Sequence, residues 1–240
     1  MSTVDSDTAH PAQGPAEDTP APSLEKRLPP LLSLIAGMVD LTGFLNLGNV
    51  FTAHITGNLV VVGALIVRGG RANPAQILAI PMFILAVAAT WLLAHVSGTH
   101  GLRLLRRLLG VQFVLLTGVF IFSAITKPSA APHGVMADIA AMLAVSAMAC
   151  QFALLRLALP GAPSTAVMTG NLTNAVLSGM NTLSRRNTST AADAARLKAS
   201  LFLLIAFFGG CVAAALAVTY LGDWAWAFPV VLAGIAIGLR

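Results

Sequence analysis

Charge is what this sequence has least of. Only 10% of its 240 residues are charged, against 57% hydrophobic, with one tyrosine and two cysteines. A soluble domain carries about 25% charged and roughly 45–50% apolar residues. So little charge cannot give a chain of this length a wettable surface, which excludes a soluble enzyme and makes lipid the expected solvent. Acids are scarcer still, because five of the nine (Asp5, Asp7, Glu17, Asp18 and Glu25) fall in the first 25 residues. From residue 29 onward only Asp40, Asp138, Asp193 and Asp223 face 12 Lys/Arg. That basic charge sits in short clusters between apolar runs, the pattern of membrane topology rather than of nucleic-acid binding. Cys150 and Cys211 lie in long apolar runs without a CxxC or a neighbouring His. They read as small buried hydrophobes, not as a disulfide or a metal site. Nucleophile turns, HExxH, Walker loops and GxGxxG after a strand are all missing, so no catalytic residue, metal or cofactor is expected.

What is present is a series of apolar segments. Residues 1–28 are rich in Pro, Ala, Ser, Thr and acid and carry no marks of a signal peptide. They are expected to form a disordered tail, with Lys26-Arg27 as an anchor before the first span. Eight apolar segments follow, near 30–49, 51–67, 76–97, 108–125, 136–158, 164–183, 199–221 and 224–239. A membrane-crossing helix needs about 20 residues. In the second segment only Leu59–Val67 is cleanly apolar, about half a bilayer as helix.

The sequence also repeats itself. HITGNLVVVGAL (54–65) and VMTGNLTNAVLSG (167–179) share Thr-Gly-Asn-Leu, each copy preceded by one apolar span and followed by two. The expected architecture is therefore an all-α polytopic membrane protein of two tandem repeats, 29–127 and 128–240. Each repeat has about four apolar segments, the second and sixth being broken or re-entrant half-helices. If all eight segments cross, ten Lys/Arg fall on the cytoplasmic side and four opposite; if the second and sixth re-enter, the counts are 11 and three. Both place the N- and C-terminal ends of the membrane region in the cytoplasm. Re-entry makes the repeats inverted, 3+3; full crossing makes them parallel, 4+4.

The candidate site follows from the repeat. Thr56-Gly57-Asn58 and Thr169-Gly170-Asn171 precede short apolar runs, where Thr and Asn cap helix starts and Gly permits irregular backbone. Half-helices starting near Asn58 and Asn171 would aim positive N-terminal ends at a central site. The alternative is that Thr and Asn only hydrogen-bond between intact helices. Asp40 is the one acid deep within an apolar segment. Ionised at mid-bilayer it costs about 2.5–3.5 kcal/mol, so it needs a partner, a proton or water. Its nearest counterpart in the second unit is Gln151, and His54 is placed to pair with it or relay a proton. Arg156 reads as an interfacial snorkelling residue or an anion ligand. Trp91, Trp224 and Trp226 read as interface anchors, and Gly37, Gly43 and Gly48 as sites of close helix contact.

These residues resemble a known family. AGMVDLTGFLNLGNVFTAHITGNLVVVGALIV (36–67) and FALLRLALPGAPSTAVMTGNLT (152–173) are similar to the YoaK-like bacterial membrane proteins, domain of unknown function 1275. Gly37, Asp40, Gly43, Phe44, Phe51, His54, Thr56, Gly57 and Asn58 carry the resemblance, which spans nearly all of 30–240. It implies an inner-membrane protein and supplies no activity. The interrupted repeats are further similar to permeases of the sulfate and uracil type. The leading expectation is thus a small secondary transporter or channel-like carrier for a small polar or anionic solute, with Asp40 binding the coupling proton or cation. Its partners would be the bilayer, the solute and, given about 210 membrane residues, further copies of the chain. The alternatives are a non-transporting scaffold or accessory subunit and an intramembrane enzyme using Asp40 and His54.

Overall fold

The computed structural model describes residues 22–68, 73–165, 167–184 and 190–239. Eight α-helices account for most of them: α1 (Pro22–Asn46), α2 (Ile55–Arg68), α3 (Pro74–Val96), α4 (Gly101–Thr126), α5 (Val135–Ala158), α6 (Met168–Leu183), α7 (Thr190–Leu221) and α8 (Ala227–Gly238). Short 3₁₀ turns, Pro128–Ala130 and Gly222–Trp226, precede α5 and α8. The eight apolar segments thus correspond to eight helices. Four stretches of single helix are long and apolar enough to cross a membrane, as is Ala191–Gly238, which runs through α7, the 3₁₀ turn and α8.

A helix begins before the end of the segment expected to be disordered. Residues 1–21 lie outside the described residues, but α1 already starts at Pro22. Leu24 and Leu28, one helical turn apart, are buried in the same cluster as Leu32, Ile35 and Val39. That single apolar stripe is enough to order a segment otherwise read as disordered. At its other end α1 stops at Asn46, because Gly48 and Asn49 both adopt positive φ, 70° and 60°. Such left-handed residues end helices, and glycine adopts the conformation without steric penalty.

Pairing of the helices has a regular form. α1 packs along α7 and α3 along α5; α4 lies on α5 and α8 on α1; α2 rests on α3 and α6 on α7. Exchanging α1 with α5, α2 with α6, α3 with α7 and α4 with α8 turns this set of pairs into itself. The α1–α7 contact is the closest. A Cβ on Gly37 would overlap the Phe207 carbonyl, and one on Gly210 the Leu34 carbonyl, so the two backbones touch as small residues permit. The Ser33 hydroxyl donates to the Leu203 carbonyl at 2.8 Å across the same seam. Of the three glycines expected at helix contacts, only Gly37 makes one. Gly43 faces Thr52, and Gly48 turns the chain against Asn73 and His133.

The distribution of polarity suits lipid. Buried polar residues include Asp40, Asn46, Thr52, Asn58, Gln112, Gln151, Thr165 and Asn171, while Val60, Val67, Leu85, Leu177 and Phe208 lie exposed. Trp91 and Trp224 are exposed, as interface anchors should be, but Trp226 is fully buried. The Gly222–Trp226 turn carries it into the core with Leu116 and Val119.

Candidate functional site

Between α1 and α2 the chain runs through residues 47–54 without helix, and Asp40 is what holds it there. Its Oδ1 accepts the backbone N–H groups of Thr52, Ala53 and His54 at 2.8, 2.7 and 3.3 Å. Oδ2 pairs with His54 Nδ1 at 2.7 Å. Both carboxylate oxygens are occupied, one by three amides and the other by an imidazole. The Asp40 side chain is 7% exposed and that of His54 is 36% exposed. The more open member of the pair is the imidazole. Asp40 engages Nδ1, and the ring lies edge-on to Phe207 of α7 at 5.1 Å.

Asn58 closes the same stretch from α2. Its Oδ1 accepts the Phe51 N–H at 2.9 Å, and its Nδ2 donates to the Phe51 carbonyl at 2.8 Å. At depth in a bilayer such backbone groups have no water to turn to. Asn171 does the corresponding thing in α6, donating to the carbonyl of Ser164 at 2.8 Å. In each case the partner stands seven residues before the Asn. α2 and α6 begin at Ile55 and Met168, three residues before the Asn in both. Thr-Gly-Asn thus lies inside the first turn instead of capping it, and the Asn side chains reach backwards to the extended stretch. Gly57 and Gly170 make room for this: a Cβ there would meet the Phe51 ring and the Val167 side chain, each at 2.9 Å.

The chain after α2 is tied back to the end of α1. Asn73, at the start of α3, donates to the Gly48 carbonyl at 3.2 Å, and Gln76 to the Asn49 carbonyl at 3.1 Å. His54 sits beside Asp40, about 9 Å along α1 from Asn46 at 1.5 Å per residue. The 14 residues of α2 span about 21 Å. Had α2 continued inward, the five residues from Arg68 to Asn73 would have to return over about 30 Å, beyond their reach of roughly 18 Å. The end of α2 is thereby brought back beside the end of α1.

The remaining expected residues divide. Thr56 and Thr169 are exposed. Gln151 is fully buried but turns away from the second stretch, donating to the Leu32 carbonyl of α1 at 2.9 Å and accepting from Gln112 of α4 at 2.7 Å. It ties three helices together and is not the second-half equivalent of Asp40. Since α2 rests on α3 and α6 on α7, Asp40, His54 and Asn58 form one cluster and Asn171 with Ser164 another.

Two residues were missed. Thr52 and Thr165 are buried, and neither hydroxyl meets a partner among the described residues. The signal was in the sequence: the repeat extends further back than Thr-Gly-Asn-Leu, as Thr-Ala-x-x-Thr-Gly-Asn-Leu at 52–59 and 165–172. In that register Asp40 matches Ala153 and His54 matches Val167. A cavity of about 300 Å³ lies at this second position. Val87 and Trp91 of α3 wall it on one side, and Phe152, Ala153 and Leu157 of α5 on the other. Arg156, Ser164 and Val167 complete it. Arg156 is exposed and has no ion pair or hydrogen bond among the described residues. No group of His, Cys, Asp or Glu among those residues is arranged to hold a metal ion. Cys150 and Cys211 are free, their thiols 3.6 Å from the carbonyls of Leu108 and Gly37.

Helices long enough to span a bilayer, with an apolar outside and polar residues buried inside, define a polytopic α-helical membrane protein. The chain belongs to the family described as protein of unknown function (DUF1275), whose model matches residues 28–239. It is also similar to the UPF0700 transmembrane protein YoaK of Bacillus subtilis (strain 168), 61% identical over 33 residues. That match covers 14% of this chain and 15% of the relative. No solved structure matches.

Proposed function

We propose that the protein is a small secondary transporter or channel-like carrier for a small polar or anionic solute, coupled to the proton through Asp40 and His54. The observation that carries this reading is the pair of interrupted segments with the same fittings in the same register. Each has an Asn clasping backbone seven residues back, a short helix starting three residues before that Asn, and a buried Thr hydroxyl without a partner. A buried polar group left unsatisfied costs about 1–3 kcal/mol. Two such groups at matching positions are best explained by a solute that visits them. Interrupted helices related by an internal repeat are a common way to build such a site. In this reading the two units, 29–127 and 128–240, are inverted repeats with α2 re-entrant, which accords with the self-mapping helix pairs. The loop charges then support a cytoplasmic side for both ends of the membrane region, and the family resemblance supports the inner membrane.

Asp40 does not take the coupling proton alone. Its oxygens are saturated by donors, so the proton arrives at His54 Nε2 and its charge is shared with the carboxylate. No chemistry on the solute is required, and the pair serves binding, not catalysis. A scaffold reading draws support from one observation, the completeness of the Asp40 hydrogen bonds, which an architectural clamp would also show.

The test is solute-dependent proton flux into proteoliposomes carrying an entrapped pH dye, challenged with acetate, lactate, nitrate and chloride. Flux is expected with at least one of them, to vanish in Asp40→Asn, and to lose its pH dependence in His54→Gln. Protein that is folded, correctly inserted and inert towards every solute would favour the scaffold.

A further inference from the structure

The cavity between α3, α5 and the stretch before α6 has no role in the mechanism above. It lies where the first half holds the Asp40–His54 pair. Ala153 and Val167 occupy the corresponding positions, so a carboxylate and an imidazole are replaced by a methyl and an isopropyl group. About 300 Å³ is left open, roughly ten waters' worth of liquid. That is within the range of ligand pockets, which are mostly apolar with a few polar groups to fix orientation.

Trp91, Phe152, Ala153 and Val167 give this cavity an apolar lining that includes two aromatic side chains, the Trp91 ring being stacked on His95, and no acid lines it. Its one charged group is Arg156, which no anionic side chain among the described residues neutralises. In the first half the position of Arg156 is Gly43, against which Thr52 packs. The guanidinium is therefore particular to the half that has the cavity. A planar guanidinium beside an apolar lining favours a carboxylate, which it can meet with two parallel hydrogen bonds. One cation calls for one negative charge. A cation would find no counter-charge, and a neutral molecule would leave the guanidinium unanswered.

We infer that this cavity is a binding site for a small organic monocarboxylate with an apolar body, its carboxylate on Arg156 and its body between Trp91 and Phe152. Binding at equilibrium is independent of whether any solute crosses the membrane. It can be read without flux.

The experiment uses the full chain in phosphatidylcholine nanodiscs with radiolabelled benzoate as the probe. Saturable binding of one benzoate per chain is expected, with quenching of tryptophan emission that disappears in Trp91→Phe. Benzylamine and benzamide should not compete. Arg156→Gln should weaken binding at least tenfold and Arg156→Lys less. Ala153→Leu should remove it by filling the cavity while the arginine stays. Melting temperatures near that of the parent chain show that these variants fold, and Arg156 is exposed, so its replacement leaves the core intact. Absence of saturable binding, or equal binding in Arg156→Gln, overturns the inference. So does displacement of benzoate by phosphatidylglycerol in the nanodisc, which would make the occupant a lipid headgroup. Benzoate binding in a protein that never moves solute would sink the transport reading and leave this one standing.

Discussion

The stretches before α2 and α6 derive from one pattern and are held in place by different means. Before α2, residues 47–54 are fastened from three elements: Asp40 on α1, Asn58 on α2, and Asn73 with Gln76 on α3. Before α6, the sequence has Pro160 and Pro163 where the first half has Leu47 and Val50, and Ala153 where it has Asp40. Proline has no N–H to satisfy and fixes φ, so this stretch carries two fewer backbone donors, at positions other than the three that Asp40 holds in the first half. The first half spends a buried charge on its backbone. The second half lowers the number of donors and keeps a cavity.

The largest effect should come from Asp40→Ala. It leaves three amides and an imidazole without their acceptor, and loss of one side of a buried charged cluster costs about 3–5 kcal/mol. Thermal unfolding in micelles, with hydrogen exchange at residues 52–54, should show both the loss and its location. If exchange there stays slow, the carboxylate is not what fastens the stretch. A transplant reverses the comparison. Ala153→Asp alone should destabilise, and adding Val167→His should recover at least about 1 kcal/mol through coupling in a double-mutant cycle. Additive effects would mean that the two positions do not meet as Asp40 and His54 do.

Next in size are Asn58→Ala and Asn171→Ala, each of which strips a buried carbonyl of its partner at about 1–3 kcal/mol. Similar losses in melting temperature would support equivalent clasps, and a neutral Asn171→Ala would confine the clasp to the first half. The smallest effects belong to glycines. Gly57→Ala and Gly170→Ala push against a ring edge and a methyl group, movable neighbours, and should cost about 1 kcal/mol or less. Gly63→Ala, with nothing near its added methyl, should stabilise α2 by a few tenths to about 1 kcal/mol.

Much of this could be read from the residues in order. Low charge and eight apolar runs indicated a membrane protein of eight helical segments, and the only acid deep in a run proved to be the one that organises the interrupted segment. Other parts were hidden because their partners are distant in sequence. Gln151 aligns roughly with Asp40 by counting, yet its helix face turns it towards Leu32 and Gln112. Trp226 has the composition of an interface anchor, but a 3₁₀ turn carries it inward. Thr52 and Thr165 were visible as a repeat and passed over, because a threonine in an apolar segment stands out far less than an aspartate.

The sequence by itself determined the solvent, the helices and the register of the repeat, because hydrophobic runs, positive-φ residues and spacing are local properties. Only the tertiary structure decided that the end of α2 comes back beside the end of α1, since that depends on Asn73 finding the Gly48 carbonyl 25 residues away. It alone showed, too, that the scarce charge on Asp40 is answered by backbone amides. A lone acid in an apolar run needs a partner, and where folding brings that partner from is not encoded next to it.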